Sequence, residues 1–519
     1  MGLYLASCSA EYLPRGDYSI MCATLNYLSC CPPMHFVVKL FPEIIIKSPP
    51  VRKRFIKQLR ENLRRLVKGR YPDVKVLSQW DKIELVAEGV DAERYAFVAR
   101  VLGNTPGVAN FSHVSTHPLG DFDEMAELLW PLYGEGLKDM SFCLRVKRTG
   151  KHDFSSTDFE REVGGRLFQR SEARKVQLKG ADVEIRLDIR GQVLSVLETT
   201  IQGLGGFPLG TQDAVLSLIS GGFDSTVASY MTIKRGLRTH YCFFNLGGRA
   251  HELGVKEVAW YLWDKYGASH RVKFITVPFE DVVAEILTKV DNSQMGVVLK
   301  RMMLRAATEV AKNWKVEALV TGEAVAQVSS QTLTNLSVID SVTETLTLRP
   351  LITMDKNAII DIARAIGTEA FAANMPEYCG VISVKPTTRA KPERIEHEES
   401  KFDFAVLDAA IAGRREENID QMMDDWVDLP NVEVFSAPQP GAIILDIRHP
   451  DEVERKPLDG GATEIQLAPF YALQNSFKKL DPSQQYLLYC DKGVMSQLHA
   501  ELLKEQGYEN LAVYRPGTT

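Results

Sequence analysis

Ser220-Gly221-Gly222-Phe223-Asp224-Ser225 decides the fold, because this stretch stands between a predicted strand and a predicted helix. The strand is the apolar run 214–219, and the helix is predicted over 226–235, with Gly236 as its C-cap. A turn of this kind points free backbone N–H groups and the positive end of a helix dipole at one place, where a phosphate binds. No Gly-Lys-Ser/Thr follows, so the loop is not a Walker loop.

The length of 519 residues indicates about three or four domains. The composition, 45% hydrophobic and 25% charged, is that of a globular chain, and no apolar run approaches the ~18 residues of a membrane span. Residues 391–519 carry 13 basic and 24 acidic side chains, although the whole chain has a net charge of only −6. The mildly basic remainder therefore predicts a polyanionic partner for the front of the chain.

Eight cysteines in a chain of this length do not form a disulfide framework, and none belongs to a C-x-x-C pair. The sequence therefore gives no support for a metal site of the zinc type, and it predicts a protein of the reducing cytoplasm, with no membrane contact.

The segment 51–69 is predicted to be a helix with Phe55, Leu59, Leu63 and Leu66 on its apolar face. Its other faces carry eight basic residues against the single acid Glu61. A solvated surface normally mixes both signs, so this face favours contact with phosphates. The candidate nucleic-acid contacts here are Arg52, Arg54, Lys57 and Arg64. A second basic cluster, which is weaker evidence alone, contains Arg145, Lys147, Arg148 and Lys151.

Strands and helices alternate through 201–383, which predicts a doubly wound parallel sheet with its ligands at the carboxyl ends of the strands. Gly322 and the polar run 327–335 lie at one such end. The alternative for this run is an ordinary polar loop. Lys300 and Lys356 are able to neutralise phosphate, although each alone is more typical of a surface cation.

Cys490 leaves a predicted strand, heads a loop that contains Gly493, and meets a helix near Ser496. Backbone N–H groups and a helix dipole around a sulfur favour the thiolate and stabilise an anionic persulfide. A solitary cysteine after a strand is usually an inert core residue. The Asp446-Ile447-Arg448 strand upstream favours the reactive alternative.

Three of these stretches resemble known modules. The 220–225 loop resembles the pyrophosphate loop (PP-loop) of ATP pyrophosphatases, 145–156 resembles the strand-to-helix corner of an RNA-binding THUMP domain, and the Cys490 loop resembles a rhodanese domain. Their order, together with Pro376–Ser383, is similar over 34–516 to the tRNA 4-thiouridine synthetase (ThiI) family.

The resemblance implies an α/β multidomain chain. Residues 1–33 form an extension of doubtful status, and Met34 is favoured over Met1 as the start. The implied domains are ferredoxin-like 34–95, THUMP 96–200, PP-loop ATP pyrophosphatase 201–383, a linker 384–437 and rhodanese 438–519.

The family chemistry implies that ATP, with Mg²⁺, adenylates O4 of a tRNA uridine at position 8, and that persulfide sulfur on Cys490 replaces the oxygen to give 4-thiouridine. Asp224 and Lys356 are implied to act in catalysis. Cys379 is implied to release the sulfur and to form a transient redox disulfide with Cys490. The implied nucleotide contacts are Leu218, Ile219, Ser220, Gly221, Gly222, Ser225, Lys300, Gly322 and Gln331.

The implied partners are tRNA, a cysteine desulfurase as sulfur donor, a cellular thiol reductant, and a sulfur-carrier protein for thiamine thiazole synthesis. Two other functions stay open: a PP-loop enzyme acting on a small-molecule carbonyl, and a sulfur-relay or tRNA-binding protein that does not adenylate. The sequence does not fix the oligomeric state, and a homodimer is one alternative.

Overall fold

The computed structural model describes residues 34–79, 82–89, 91–246, 248–375, 385–422, 432–448, 450–461, 463–491 and 494–516. The chain forms two compact units. The first comprises the residues up to Thr211 together with the short segment Lys234–Gly236. The second comprises Gln212–Ile233 and the residues from Leu237 onward. The predicted extension 1–33 lies outside the described residues. Within the described part, no helix is both long and apolar enough to cross a bilayer.

The first unit contains one eight-stranded sheet, in the order β2-β3-β1-β4-β8-β7-β5-β6. Its strands are β1 (Met34–Leu40), β2 (Lys75–Gln79), β3 (Lys82–Ala87), β4 (Val108–Pro118), β5 (Ser141–Thr149), β6 (Lys175–Val176), β7 (Val183–Arg190) and β8 (Val193–Gln202). Its helices are α1 (Pro42–Ile45), α2 (Pro49–Lys68), α3 (Ala92–Asn104), α4 (Phe122–Tyr133) and α5 (Ser156–Arg170).

Two hydrophobic cores lie on this sheet. The first core extends past the predicted boundary at residue 95, because Val98, Leu102 and Phe111 are part of it and β4 pairs with β1. The second core is built from α4, α5 and strands β5, β7 and β8. Helix α5 begins at Ser156, because Ser155 and Asp158 form a capping box. The basic stretch from Arg145 therefore runs along β5 and leads into a capped helix.

The second unit begins with a six-stranded sheet, in the order β13-β12-β9-β10-β11-β14. Its strands are β9 (Ala214–Leu218), β10 (Arg238–Asn245), β11 (Lys273–Pro278), β12 (Ala318–Val320), β13 (Leu346–Leu348) and β14 (Arg415–Asn418). Its helices are α6 (Phe223–Lys234), α7 (Gly248–Leu262), α8 (Glu280–Lys289), α9 (Met295–Asn313), α10 (Leu333–Asp340), α11 (Lys356–Ile366), α12 (Glu369–Asn374), α13 (Pro392–Glu399) and α14 (Phe404–Ala412).

Strands β9 to β13 are parallel, as predicted, and only β14 runs antiparallel to its neighbour β11. Strand β9 lies between β10 and β12, so the chain order reverses beside β9. Such a switch point opens a crevice at the carboxyl ends of the strands. The 220–225 loop and Gly322 follow the two strands that flank this crevice.

Residues 385–422, predicted as the first part of a linker, are part of this domain. Ile395, Phe402 and Leu407 are buried in its core, and β14 extends its sheet. The sequence misleads here because the many acids between 393 and 428 suggest a solvated connector, whereas α13 buries Glu399 against Arg301. The remainder of the predicted linker includes 423–431, which is outside the described residues.

The third sheet, also in the second unit, is parallel with the order β15-β19-β18-β16-β17. Its strands are β15 (Val434–Phe435), β16 (Ile443–Asp446), β17 (Ile465–Leu467), β18 (Tyr486–Tyr489) and β19 (Leu511–Tyr514), and its helices are α15 (Pro450–Arg455), α16 (Phe470–Phe477) and α17 (Val494–Glu505). The chain order reverses between β16 and β18, and Cys490 follows β18 at this second switch point.

The buried contact of Glu399 provides a test of whether α13 belongs to the core of the domain with the six-stranded sheet. Its carboxylate holds Arg301 with two short contacts of 2.6 and 2.9 Å, and both side chains are buried. Glu399→Ala leaves the guanidinium buried without its counter-ion, which costs about 3 kcal/mol. We expect a clearly lower thermal unfolding midpoint, measured by differential scanning fluorimetry. Glu396→Ala, at an exposed site on the same helix, should change little, and equal midpoints for both variants would contradict this placement.

Candidate active site

The 220–225 loop has the conformation that its glycines permit. Gly221 has φ +82°, a left-handed value that favours glycine, and a Cβ there would collide with the end of Met375. The backbone N–H groups of Gly221 and Gly222 donate to no other residue in the described ranges. The Ser225 hydroxyl contacts Ser220 Oγ at 3.2 Å and accepts from Ser220 N–H at 3.1 Å. The loop is therefore an open set of donors at the start of α6.

Gly322, at the end of β12, lies directly against this loop. A Cβ on Gly322 would be 2.5 Å from the Asp224 carbonyl carbon and 2.7 Å from the Ser225 nitrogen. The end of β12 approaches the first turn of α6 so closely only because residue 322 has no side chain. Gly322, predicted as a nucleotide contact, thus lies against the backbone of the helix start that follows the loop.

The Asp224 carboxylate faces Lys356, whose Nζ lies 2.9 Å from both carboxylate oxygens. Gln327 Nε2 donates to Asp224 at 2.9 Å, and the Lys356 ammonium lies over the Phe223 ring. Lys356 is the first residue of α11, and Asp355 caps that helix. Asp224 and Lys356, both predicted as catalytic residues, are therefore in contact, and Gln327, from the polar run predicted at this strand end, also contacts Asp224.

Lys300 belongs to a second cluster of charges next to Gly322. Its Nζ lies 2.6 Å from Glu323, which Arg349 contacts at 2.8 Å on another oxygen. Burial disfavours the charged carboxylate, but the two cations hold the pKa of Glu323 below its ordinary value. Arg349 also holds Asp340 with a bidentate contact. Lys300 is thus fixed beside the crevice by a buried carboxylate.

Gln331 and the strand that precedes the loop complete the predicted nucleotide contacts. Gln331 is buried, and its Oε1 has no hydrogen-bond partner among the described residues. A buried acceptor without a partner is costly, so this atom suits a ligand that donates a hydrogen bond, such as an exocyclic amino group. Ile219 is buried in the core, and Leu218 is half-buried at the strand end.

The Cys490 sulfur lies in the predicted cradle. Its Sγ accepts a hydrogen bond from the Ser496 backbone N–H at 3.4 Å and lies 3.4 Å from Ser496 Oγ. Helix α17 begins beside the sulfur, so its positive end faces Cys490. The side chain is 7% exposed. Lys492 and Gly493 of the loop lie outside the described residues.

Arg448 fixes the loop that follows Cys490. The guanidinium holds Asp446 through two nitrogens, at 2.8 and 2.5 Å, and also contacts Asp491 at 2.9 Å. Tyr489 donates to the same Asp491 oxygen at 3.0 Å. Despite burial, the surrounding carboxylates raise the pKa of Arg448. The predicted Asp-x-Arg pattern therefore joins the end of β16 to the residue after Cys490, a role that the sequence did not specify.

Of the remaining predicted residues, Cys379 lies outside the described residues. On α2, the buried apolar positions are Phe55, Leu59, Leu63 and Val67, in place of the predicted Leu66. Glu61 lies near Arg60 and Arg64, whereas Arg54 and Lys57 are exposed with no acidic partner among the described residues. Arg52 is half-buried and donates to the Ile45 carbonyl.

In the second basic cluster, Lys147 and Lys151 are exposed. Arg148 lies 3.1 Å from the His152 ring nitrogen, and Arg145 donates to the Leu178 carbonyl. Two of the four predicted cations are therefore held by neighbouring groups, and two are open to solvent.

These features define a class of protein: a PP-loop domain joined to a cysteine-bearing rhodanese-like domain and to a basic front unit. Four family models match, described as the ThiI ferredoxin-like domain over residues 35–112, the THUMP domain over 121–197, the thiamine biosynthesis protein ThiI over 210–404, and the rhodanese-like domain over 433–519.

Curated relatives include the tRNA sulfurtransferases of Saccharophagus degradans, 55% identical, and Azotobacter vinelandii, 54% identical, each over 93% of this chain and 100% of the relative. The chain belongs to the tRNA sulfurtransferase (ThiI) family. A solved crystal structure of a 4-thiouridine synthetase–RNA complex with bound ATP shares the fold, with a TM-score of 0.64 at 24% identity over 74% of this chain and 99% of that one.

The close approach of Gly322 to the loop predicts the effect of a single methyl group. Gly322→Ala would push the Asp224–Ser225 backbone away and distort the donors of the loop. We expect the dissociation constant for ATP, measured by isothermal titration calorimetry, to rise at least about tenfold, equivalent to roughly 1.4 kcal/mol. Gly165→Ala, where a Cβ meets open space, should bind ATP as the wild type does. Unchanged affinity in Gly322→Ala would contradict the assignment of the loop.

Proposed function

We propose that the protein is an ATP-dependent tRNA sulfurtransferase that converts uridine 8 of tRNA to 4-thiouridine. The observation that carries this proposal is the presence, in one compact unit, of an open anion-binding loop and a cysteine cradled at a helix start. One site suits the activation of an oxygen with ATP, and the other suits the carriage of sulfur.

In the first step, the loop holds the phosphates of ATP. Gly221 and Gly222 offer N–H groups that no described residue occupies, and the α6 dipole adds positive potential. Asp224 fits a Mg²⁺ ion that takes most of its other ligands from phosphate and water, since this ion prefers few protein carboxylates. Lys356, which pairs with Asp224, is then free to neutralise developing phosphate charge.

Adenylation converts O4 of the uridine, a poor leaving group, into part of AMP, a good one. O4 of the uridine attacks the α-phosphate of ATP, the bond to the β-phosphate breaks, and pyrophosphate leaves. The product carries AMP on O4, so C4 becomes open to a sulfur nucleophile.

In the second step, the outer sulfur of a Cys490 persulfide attacks C4, and AMP leaves with the bonding pair of the C4–O bond. The uridine is then joined to Cys490 through a disulfide. The Cys379 thiolate attacks Sγ of Cys490, the sulfur departs with the base as 4-thiouridine, and a Cys379–Cys490 disulfide remains. A cellular dithiol supplies two electrons and two protons to reduce it.

Three partners besides tRNA fit this chemistry. A cysteine desulfurase supplies the sulfane sulfur to Cys490, and a thiol reductant resets the disulfide. The persulfide also suits transfer to a sulfur-carrier protein for thiamine thiazole synthesis. Each of these partners requires access to Cys490, which is 7% exposed in this arrangement.

The direct test is nucleoside mass spectrometry of unmodified tRNA after incubation with the protein, Mg-ATP, cysteine and a desulfurase. We expect 4-thiouridine from the wild type and at least about a hundredfold less from Cys490→Ala, because the sulfur has no carrier. Cys379→Ala should stop after one turnover or earlier. Cys143→Ala, which removes a buried cysteine of the first unit, should retain activity.

Two outcomes would favour the two other functions that the sequence leaves open. Pyrophosphate release that depends on a small carbonyl compound, with no thionucleoside, would indicate a small-molecule PP-loop enzyme. The absence of ATP consumption in the presence of tRNA would indicate a sulfur-relay or tRNA-binding protein.

The basic face of α2 predicts a salt-dependent contact with tRNA. Lys57→Ala and Arg64→Ala should each weaken binding and lower the slope of log K against log salt by about 1 unit or less, because each removes one phosphate contact. The measurement is filter binding of tRNA between about 50 and 200 mM salt.

Lys138→Ala is the matched control for this series, since the Lys138 ammonium is exposed and already paired with Glu172 at 2.7 Å. Slopes that are identical in all three variants would contradict a role of α2 in binding phosphate.

A further inference from the structure

Among the contacts between the two domains of the second unit is a buried pair of polar side chains. His499 Nε2, on α17, lies 2.7 Å from Glu257 Oε1, on α7, and the two side chains are only 5% and 3% exposed. Burial raises the pKa of Glu257, and the attraction of His499 opposes this effect. The other ring nitrogen of His499 is buried without a hydrogen-bond partner among the described residues. Glu257 is therefore the group that orients this imidazole.

Contacts on either side of the pair align the same two helices. Leu253 of α7 packs with Leu498 and Leu502 of α17 in a small core cluster of their own. Arg249, one turn earlier on α7, contacts Glu501 at 2.5 Å and Glu505 at 3.4 Å. The contact residues on α7 recur every four positions, so one face of the helix forms the interface. Leucine packing and polar contacts together therefore hold the two helices in one alignment.

Each helix of this pair lies next to one of the two reaction sites. On α7, Gly254 is in contact with Met375, the same side chain that closes over Gly221 of the phosphate loop. On α17, the Ser496 N–H donates to Cys490 Sγ. The alignment of the helices therefore determines where the sulfur lies relative to the loop.

Apolar contacts continue between the two sites. Met495 and Phe470 pack in the core that contains Cys490, and they also pack against the core that contains Ile219. Phe470 stacks edge-on with Phe371 at 5.2 Å, and Met375 borders the same core. An unbroken set of packed side chains thus runs from the sulfur cradle to the strand that precedes the phosphate loop.

We propose that the His499–Glu257 pair is a positioning contact that docks the Cys490 domain for sulfur delivery, an inference that rests on the proposed function. Leucine contacts tolerate a shift along a helix, but a buried hydrogen-bonded pair is satisfied in one register only. Any other register would leave the Glu257 carboxylate and His499 Nε2 buried without each other. The pair thereby selects one docked position, the one from which Cys490 delivers its sulfur.

A single-turnover assay separates docking from the rest of the reaction. Cys490 is first loaded with ³⁵S by a desulfurase and cysteine, free cysteine is removed, and tRNA with Mg-ATP is then added. The variants are Glu257→Gln and His499→Gln, with exposed His397→Gln and Glu396→Gln as matched controls. Persulfide loading, pyrophosphate release and ³⁵S transfer to tRNA are each timed.

We expect loading and pyrophosphate release to stay within about twofold of the wild type, while transfer slows roughly tenfold to a hundredfold, as misplacement of a reacting group by about 1 Å can cause. The exchanged double variant Glu257→His with His499→Glu should recover part of the lost rate, because it restores the pair. A purely structural role instead predicts that the single variants lose loading and pyrophosphate release together with transfer.

Two results would overturn the inference. One is a transfer rate equal to that of the wild type in both single variants, and the other is a parallel loss of loading, pyrophosphate release and thermal stability. A wild-type protein that loads sulfur but makes no 4-thiouridine would instead overturn the proposed function.

Discussion

Both sites of the second unit depend on the geometry of parallel strands. A parallel strand must be followed by a crossover, usually a helix, before the next strand can begin. The helices therefore begin at the carboxyl edge of the sheet, where their first N–H groups have no partner within the helix. Where the strand order reverses, the connections that follow two adjacent strands leave on opposite sides of the sheet. The crevice between them has room for an anion. The 220–225 loop and the Cys490 loop occupy these positions in two different sheets.

This geometry alone would not hold either turn in a defined shape. At the phosphate loop, the absence of a side chain at Gly322 lets β12 press against the first turn of α6. At the sulfur loop, Arg448 ties the end of β16 to Asp491 across the switch point. One turn is thus shaped by close backbone packing and the other by a buried guanidinium, although the dipole arrangement is the same.

The sequence predicts much of this because strands, helices and turns have local signals. The glycine-rich loop and the Asp446-x-Arg448 pattern each lie within a few neighbouring residues. Each strand and helix of the alternating region also has its own local pattern. The positions of Gln327, Arg349 and the Glu257–His499 pair depend on contacts between residues far apart in the chain, which no local pattern encodes. Composition also misled the reading of 385–422, because an acidic residue such as Glu399 looks solvated until its partner Arg301 is known.

Strand β14 gives the chain a natural junction between domains. Strand β14 completes the sheet edge beside β11, and Ile419 and Met422, which follow it, are buried in the core that contains Ile219. The PP-loop domain therefore closes its own core only after residue 422, well past the glycines and lysines of its site. Gain or loss of the cysteine-bearing domain beyond this point leaves the sheet closed. A fusion or excision at residue 384 or 404, by contrast, would remove core side chains and expose the edge of β11. The position of this short antiparallel strand therefore limits where evolution, or protein engineering, is able to recombine the two domains.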